Sequence, residues 1–295
     1  MLKVRLMLGI LLIVAVVGLL FADQFLADRY ALPFAPVFCG LVLLVTAMGV
    51  YEMSTLLRRR GWRIYELPAL AAIVLLLAAE VLSRGAGHRL QLAIGATPVS
   101  PMILVLTLLL LAVLTAEVLR VARTGETAVA LESVAGTMLI VLYIGLLTVF
   151  IVAIRFLPRD GLWCLLTWLA VTKCSDIGGY LAGMAFGRHK LVPRLSPGKT
   201  VEGLLGSLVL SAAVALAMGL PLLGLAAWQA IVFGLAVCAS AVVGDLAESL
   251  IKRATESKDS SRIIPGFGGV LDIMDSILFT APVAYMLLAA FVGRG

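Results

Sequence analysis

The sequence predicts an all-α integral membrane protein, a polytopic helical bundle of about nine transmembrane helices. Three observations predict it. Of 295 residues, 62% are hydrophobic and only 14% are charged, too little polar material to cover a soluble domain of this length. Mean hydropathy is +1.12. Apolar runs of about 20 residues recur along the chain, and at about 1.5 Å rise per residue they match the hydrocarbon core of a bilayer. The runs lack the alternation of barrel strands, and a helix satisfies its own backbone groups in lipid.

The expected spans lie at 4–22, 33–51, 64–82, 101–119, 134–157, 161–184, 202–219, 225–244 and 271–292. The first is the apolar part of MLKVRLMLGILLIVAVVGLLF. It has the basic start of a signal peptide but no convincing small-x-small cleavage site, so a retained span is expected. The second runs up to the basic cluster RRRGWR, Arg58 to Arg63, read as a topology anchor with contacts to anionic lipid. The third to fifth carry few polar groups at membrane depth. The sixth is the least regular, since it holds Lys173, Ser175 and Asp176. The seventh follows the polar loop ending in Gly198-Lys199-Thr200. The eighth stops at Gly244, beside Asp245, and the ninth begins at Asp272 and Asp275.

Loop charge sets the orientation. With the N-terminus inside, the cytoplasmic segments carry 16 Lys and Arg against 6 opposite, with Lys173 inside a span. The net charge of +6 is therefore positive-inside bias. Without aromatic-basic interleaving it does not point to nucleic acid. Cys39, Cys164, Cys174 and Cys238 show no CxxC spacing and read as packed membrane thiols. No internal repeat or low-complexity linker divides the chain. One membrane domain, 1–295, is expected, with a helical scaffold at 1–160 and catalytic helices with cytoplasmic loops at 161–295.

Four polar clusters stand near the expected cytoplasmic face. In KCSDIGGY, Lys173 and Asp176 are three apart and can pair on one helix face. Charged groups at membrane depth are costly and ordinarily face a cavity or one another. In RHKLVPRLSPGKTVEG, Gly198-Lys199-Thr200 resembles the end of a phosphate-binding loop. That loop needs glycine at 193, which is Pro193, and no strand is expected ahead of it, so the motif is rejected. Ser196, Lys199 and Thr200 can still meet phosphate at a helix start. Glu202 would then be an ordinary first-turn acid. In GDLAESLIKR, an exposed i,i+4 pair accounts for Glu248 and Lys252 but leaves Asp245 unexplained.

The last cluster is KDSSRIIPGFGGVLDIMDS, residues 258–276. Asp272 and Asp275 share a helical face among apolar neighbours. Two bare carboxylates repel each other, and a divalent cation offsets that cost. One or two carboxylates completed by substrate phosphates suit Mg²⁺. The preceding loop of glycines lets backbone approach a ligand closely, and Lys258 and Arg262 add positive charge. No Ser-His-Asp or Cys-His nucleophile is present among the candidates, and His88 and His189 are poorly placed as bases. Metal-assisted transfer needs no protein nucleophile when a substrate phosphate attacks.

SLIKRATESKDSSRIIPGFGGVLDIMD, Ser249 to Asp275, resembles the signature of the phosphatidate cytidylyltransferases, or CDP-diacylglycerol synthases. Ser249, Lys252, Arg253, Lys258, Asp259, Pro265, Gly268, Gly269, Asp272 and Asp275 fall in register with it. SDIGGYLAGMAFGRHKL and LSPGKTVEGLLGS resemble its two upstream motifs. The likeness is strong over 173–285 and architectural before that. Two positions depart: Phe267 stands where the family usually has histidine, and Ile273 where it has arginine.

The resemblance implies transfer of cytidylate from CTP to phosphatidic acid drawn from the bilayer, with pyrophosphate leaving. It implies Mg²⁺ at Asp245, Asp272 and Asp275, with room for a second, monovalent or divalent, cation. Lys199, Lys252 and Lys258 are assigned to phosphate, and Asp259 to orienting the loop or a metal-bound water. Asp176, Ser196, Thr200, Arg253, Gly268 and Gly269 are assigned to substrate binding. A multi-pass protein of a bacterial inner (plasma) membrane, with its site on the cytoplasmic side, is expected, and a homodimer is one assembly open to it. The competing readings are a CTP-dependent polyprenol or phytol kinase, a catalytically altered family member, and an ion-coupled membrane transporter.

Overall fold

The computed structural model describes residues 2–30, 32, 35–85, 92–94, 97–158, 160–257, 260–261 and 268–292; side chains of 2–13, 85, 92–94 and 97–99 lie outside the description. The chain is built from helices α1 (Leu2–Tyr30), α2 (Pro36–Arg59), α3 (Glu66–Gly85), α4 (Pro101–Thr124), α5 (Ala130–Ile140) and α6 (Leu147–Arg155). They are followed by α7 (Gly161–Phe186), α8 (Val201–Leu223), α9 (Ala227–Ala254) and α10 (Val270–Val292). A π-helical turn, Val141–Leu146, joins α5 to α6. Among the described residues, seven helices are long and apolar enough to cross a membrane, with α5 through α6 counted as one. The seven do not include Leu2–Tyr30 or Gly161–Phe186, where two of the nine spans were expected. In the second of these, Lys173 and Asp176 interrupt the apolar run.

Two small antiparallel hairpins accompany the helices of this all-α membrane fold. Strands β1 (Leu92–Ile94) and β2 (Thr97–Val99) form one, and β3 (Lys190–Val192) and β4 (Ser196–Thr200) form the other. The second runs through Gly198-Lys199-Thr200, where no strand was expected. Pro193 still excludes the phosphate-binding loop.

By internal contacts the chain divides into two compact units: 1–152 with 259–271, and 153–258 with 272–295. In the first, α2 and α4 each open with proline at the first helical turn, where the missing N–H is no loss. Asp23 Oδ1 accepts from the Val37 amide at 2.8 Å, so an otherwise orphaned donor of α2 is satisfied. Gly125, at φ +69°, ends α4 in the left-handed conformation that glycine adopts without strain. The RRRGWR segment is held from within the unit. Arg58 pairs with Glu66 at 3.1 Å, the Arg63 amide donates to Ser133 Oγ, and the next tyrosine, Tyr65, donates its hydroxyl to buried Glu117 at 2.9 Å.

The second unit is organised by a seam of small residues. A Cβ on Gly178 of α7 would stand 2.6 Å from the Gly206 carbonyl oxygen of α8. One on Gly179 would stand 2.6 Å from Ser207 Oγ, and one on Gly203 would stand 2.9 Å from the Gly179 carbonyl oxygen. Such residues let two helix backbones meet where lipid supplies no hydrophobic drive for association. That is the physical sense of GGYLAG and GLLGS. Trp168 Nε1 donates to Thr280 Oγ1 at 2.9 Å, a buried bond that ties α7 to α10.

Candidate active site

The polar ends of these helices converge within the second unit. The α7–α8 seam carries Asp176 on its α7 side, next to Ser175, whose carbonyl accepts from Ser207 Oγ of α8 at 2.8 Å. Thr200 caps that helix, its hydroxyl accepting from the Gly203 amide at 3.1 Å. The β3–β4 hairpin carries Lys199 alongside. α9 runs ten residues beyond the expected end at 244, so Asp245, Glu248 and Lys252 all stand on one continuous helix. α10 supplies Asp272, Asp275 and Ser276.

A cavity of about 290 Å³ opens among them. Four carboxylates line it: Asp176, Asp245, Asp272 and Asp275. So do the ammonium groups of Lys173 and Lys199. Thr200, Gly179, Gly203 and Ser207 complete its floor along the seam, and Tyr180 adds an aromatic edge.

Each cation is already engaged. Lys199 Nζ donates to Asp245 Oδ2 at 2.7 Å and to the Val242 carbonyl at 3.4 Å. Lys173 Nζ donates to Asp176 Oδ2 at 3.3 Å, to the Ile273 carbonyl at 3.1 Å and to Ser276 Oγ at 3.1 Å. Ser276 Oγ in turn donates to Asp176 Oδ2 at 3.3 Å. The expected Lys173–Asp176 pair thus exists and is extended onto α10. Lys252 Nζ bridges Asp272 Oδ1 at 2.8 Å and Glu248 Oε2 at 2.5 Å. Glu248 is 1% exposed, so its pair with Lys252 is buried rather than the exposed surface pair its spacing suggested. Glu202 also departs from a simple helix-start role. It accepts from the amides of Arg188 and His189, and His189 Nδ1 lies 2.6 Å from its Oε1.

The other candidates are dispersed. Lys252 reaches Asp272 without lining the cavity. Ser196, half-buried in β4, and Arg253, exposed in the last turn of α9, do not line it either. Gly268 and Gly269 belong to the first unit. Gly268 adopts φ +95°, a backbone state that requires glycine. Lys258, Asp259, Arg262 and Phe267 lie outside the described residues. Lys173, Tyr180 and Ser207 line the cavity but were not assigned site roles from sequence. Lys173 alone carried a signal, as a charge within an apolar run.

The donor set is all oxygen, which suits a hard divalent cation. Among the described residues, no three carboxylate, imidazole or thiol groups stand in a metal-holding arrangement. The four carboxylates share one cavity, with lysines on three of them. One or two carboxylates with substrate phosphates suffice for Mg²⁺, so the residues fit the ion once the lysines give way.

A family model described as the cytidylyltransferase family matches residues 3–291. The chain is 33% identical to a phosphatidate cytidylyltransferase of Bacillus subtilis over 84% of its length and 88% of the relative's. It is 32% identical to a phosphatidate cytidylyltransferase of Chlamydia pneumoniae over 94% of its length and 89% of the relative's. It is 42% identical to the uncharacterized protein YnbB of Escherichia coli over 130 residues. That match covers 44% of each chain, under half the length of that relative.

Proposed function

We propose a reaction from one premise: the chain belongs to the cytidylyltransferase family. It is a multi-pass membrane enzyme that transfers cytidylate from CTP to phosphatidate, giving CDP-diacylglycerol and pyrophosphate. The observation that carries this reading is the cavity where Lys173 and Lys199 meet Asp176, Asp245, Asp272 and Asp275. Cations suit the phosphates, and carboxylates suit a metal.

A phosphatidate oxygen attacks the CTP α-phosphorus. The new P–O bond forms as the bond to the bridging oxygen breaks, and pyrophosphate leaves with those electrons. The attacking phosphate is already anionic, so no protein base has to remove a proton. Lys199 neutralises phosphate charge at the mouth of α8, beside the first amides of that helix, whose positive dipole end favours anions. Lys173, held between Asp176 and the Ile273 carbonyl, keeps a second positive charge at the cavity wall. One or two of Asp245, Asp272 and Asp275 would hold Mg²⁺ together with substrate phosphates. When bound, that ion supplies charge neutralisation across the reacting phosphates. A second cation, Lys258 at phosphate, Asp259 orienting the loop or a metal-bound water, and a homodimer all belong to this same reading.

The lipid tails remain in the bilayer while the headgroup enters the cavity, which is why a reaction of phosphates is housed among apolar helices. The excess of basic residues in the expected cytoplasmic loops supports a site facing the cytoplasm of a bacterial inner membrane. The relatives named phosphatidate cytidylyltransferase favour neither a lipid-alcohol kinase nor a transporter. The test is formation of CDP-diacylglycerol by the purified protein in detergent from radiolabelled CTP, phosphatidate and Mg²⁺, with Asp272→Asn beside it. Product from the wild type and none from the variant is the expected result. No product from folded wild type across lipids and metals rejects the reaction.

A further inference from the structure

Glu52 lies on α2 in the first unit and is 1% exposed. Its carboxylate gathers donors from the 260–271 segment of the same unit. Oε1 accepts from Ser261 Oγ at 2.6 Å and from the Val270 amide at 3.0 Å. Oε2 accepts from the Leu271 amide at 2.8 Å and from Ser260 Oγ at 3.2 Å. The first amides of a helix have no intrahelical acceptor, and the positive end of the dipole favours an anion. A residue beside the helix ordinarily supplies that acceptor. Here it comes from more than two hundred positions earlier in the chain. A buried carboxylate is tolerable only when its oxygens are hydrogen-bonded, so the arrangement is tightly specified.

Gly269 is part of it. A Cβ there would collide with both Ser260 Oγ and Glu52 Oε2. The absence of a side chain at 269 is thus accounted for by the approach of Glu52, with no substrate invoked. Asp272 directly follows Leu271, and Asp275 stands three positions further along the same helix. Whatever fixes the first turn of α10 also fixes the rotation at which those two carboxylates are presented.

We infer that Glu52 is a positioning residue for the reaction: it caps α10, and Gly269 is glycine to admit that cap. The inference rests on the reaction proposed above. The experiment uses the full-length protein as wild type, Glu52→Gln, Glu52→Ala, Gly269→Ala, Glu52→Ala with Gly269→Ala, and Glu117→Gln. The last removes another buried carboxylate of the same unit. Amide hydrogen exchange of peptides covering 268–276 is followed without substrate or metal. CDP-diacylglycerol formation is then titrated with Mg²⁺, and thermal unfolding is recorded.

Glu52→Gln places an N–H donor against donors. It is expected to accelerate exchange locally at 268–272 and to raise the half-saturating Mg²⁺ concentration about ten- to a hundredfold, the size of effect of a lost supporting hydrogen bond behind a metal ligand. KM for phosphatidate stays near wild type, and the unfolding temperature stays near that of Glu117→Gln. Gly269→Ala reproduces the defect and adds nothing in the Glu52→Ala background, because both changes remove one interaction. Unchanged exchange at 268–272 in Glu52→Gln overturns the inference. So does a loss shared in kind and size with Glu117→Gln, or a further tenfold loss from Gly269→Ala in the double variant, which would place Gly269 against substrate. If Glu52→Gln does not fold, Gly269→Ala decides by the same exchange and Mg²⁺ readings. A wild type that forms no product removes the reaction, while the exchange arm still reports whether the cap exists.

Discussion

The Lys199 ammonium donates to the Asp245 carboxylate at 2.7 Å, joining the end of β4 to α9 across the cavity mouth. One partner suits phosphate and the other suits a divalent cation. Neither ligand can take its place while the pair is closed.

Opening the pair for one ligand therefore prepares it for the other. CTP is expected to bind more tightly with Mg²⁺ present, and Mg²⁺ more tightly with CTP present, by the same factor, of the order of 5–150-fold. Calorimetric titration of each with and without the other measures it. Lys199→Met should shrink the factor toward one, because the cation then displaces nothing.

Chelation of divalent ions should stop product formation, and added Mg²⁺ should restore it. Asp272→Asn should lower kcat by at least about a hundredfold, as expected for loss of a carboxylate that would hold the charge-neutralising cation. It should leave the unfolding temperature close to wild type, since Lys252 keeps Glu248 as a partner. Rate assays across a Mg²⁺ series, read beside thermal unfolding, separate the two effects.

Lys252 matters more to the fold. Lys252→Met removes a cation from between Glu248 and Asp272 and leaves a carboxylate that is 1% exposed without its charge partner. Breaking a buried pair in this way costs about 3–5 kcal/mol. Lys252→Met with Glu248→Gln should recover part of that stability without recovering full activity. Denaturation midpoints of the single and double variants check it.

The glycine seam predicts a loss by addition. Gly178→Leu drives a side chain into the Gly206 backbone, where even a Cβ would stand 2.6 Å from the carbonyl oxygen. Overpacking of this kind costs about 1–3 kcal/mol or more. The unfolding temperature should fall, and activity with it, because the seam carries Asp176 and Thr200 on its two sides. Leu205, on α8 but exposed, should accept alanine with little change in either reading.

The helices were legible because hydropathy and length are local properties. Each expected span falls on a helix, although α9 runs past its apolar end, since a helix in contact with its own unit need not stop where lipid does. Asp245, Asp272 and Asp275 were legible as carboxylates with no apolar reason to be there. The Lys199–Asp245 and Lys252–Asp272 pairs were not, because they join residues 46 and 20 positions apart, and no periodicity links them. Ser196 and Arg253 fall outside the cavity lining although their motifs are contiguous with residues inside it, because successive residues of a strand or helix point different ways. Glu52 was invisible for the opposite reason. It is the one acidic residue of α2, just past the expected span at 33–51, and its partners lie more than two hundred residues later.

The π-helical turn at Val141–Leu146 sets where this chain can lose a residue. A π turn holds one residue more than an α turn of the same function, and here it falls where Gly145 meets Ile73, a Cβ on Gly145 standing only 2.5 Å from Ile73 Cγ1. Deleting one residue inside the turn converts it to plain α-helix and keeps both flanking faces in register. The same deletion elsewhere in Ala130–Arg155 rotates everything beyond it by about 100° and carries a buried face toward lipid. In an alignment of related chains, a one-residue gap in this helix belongs between Val141 and Leu146.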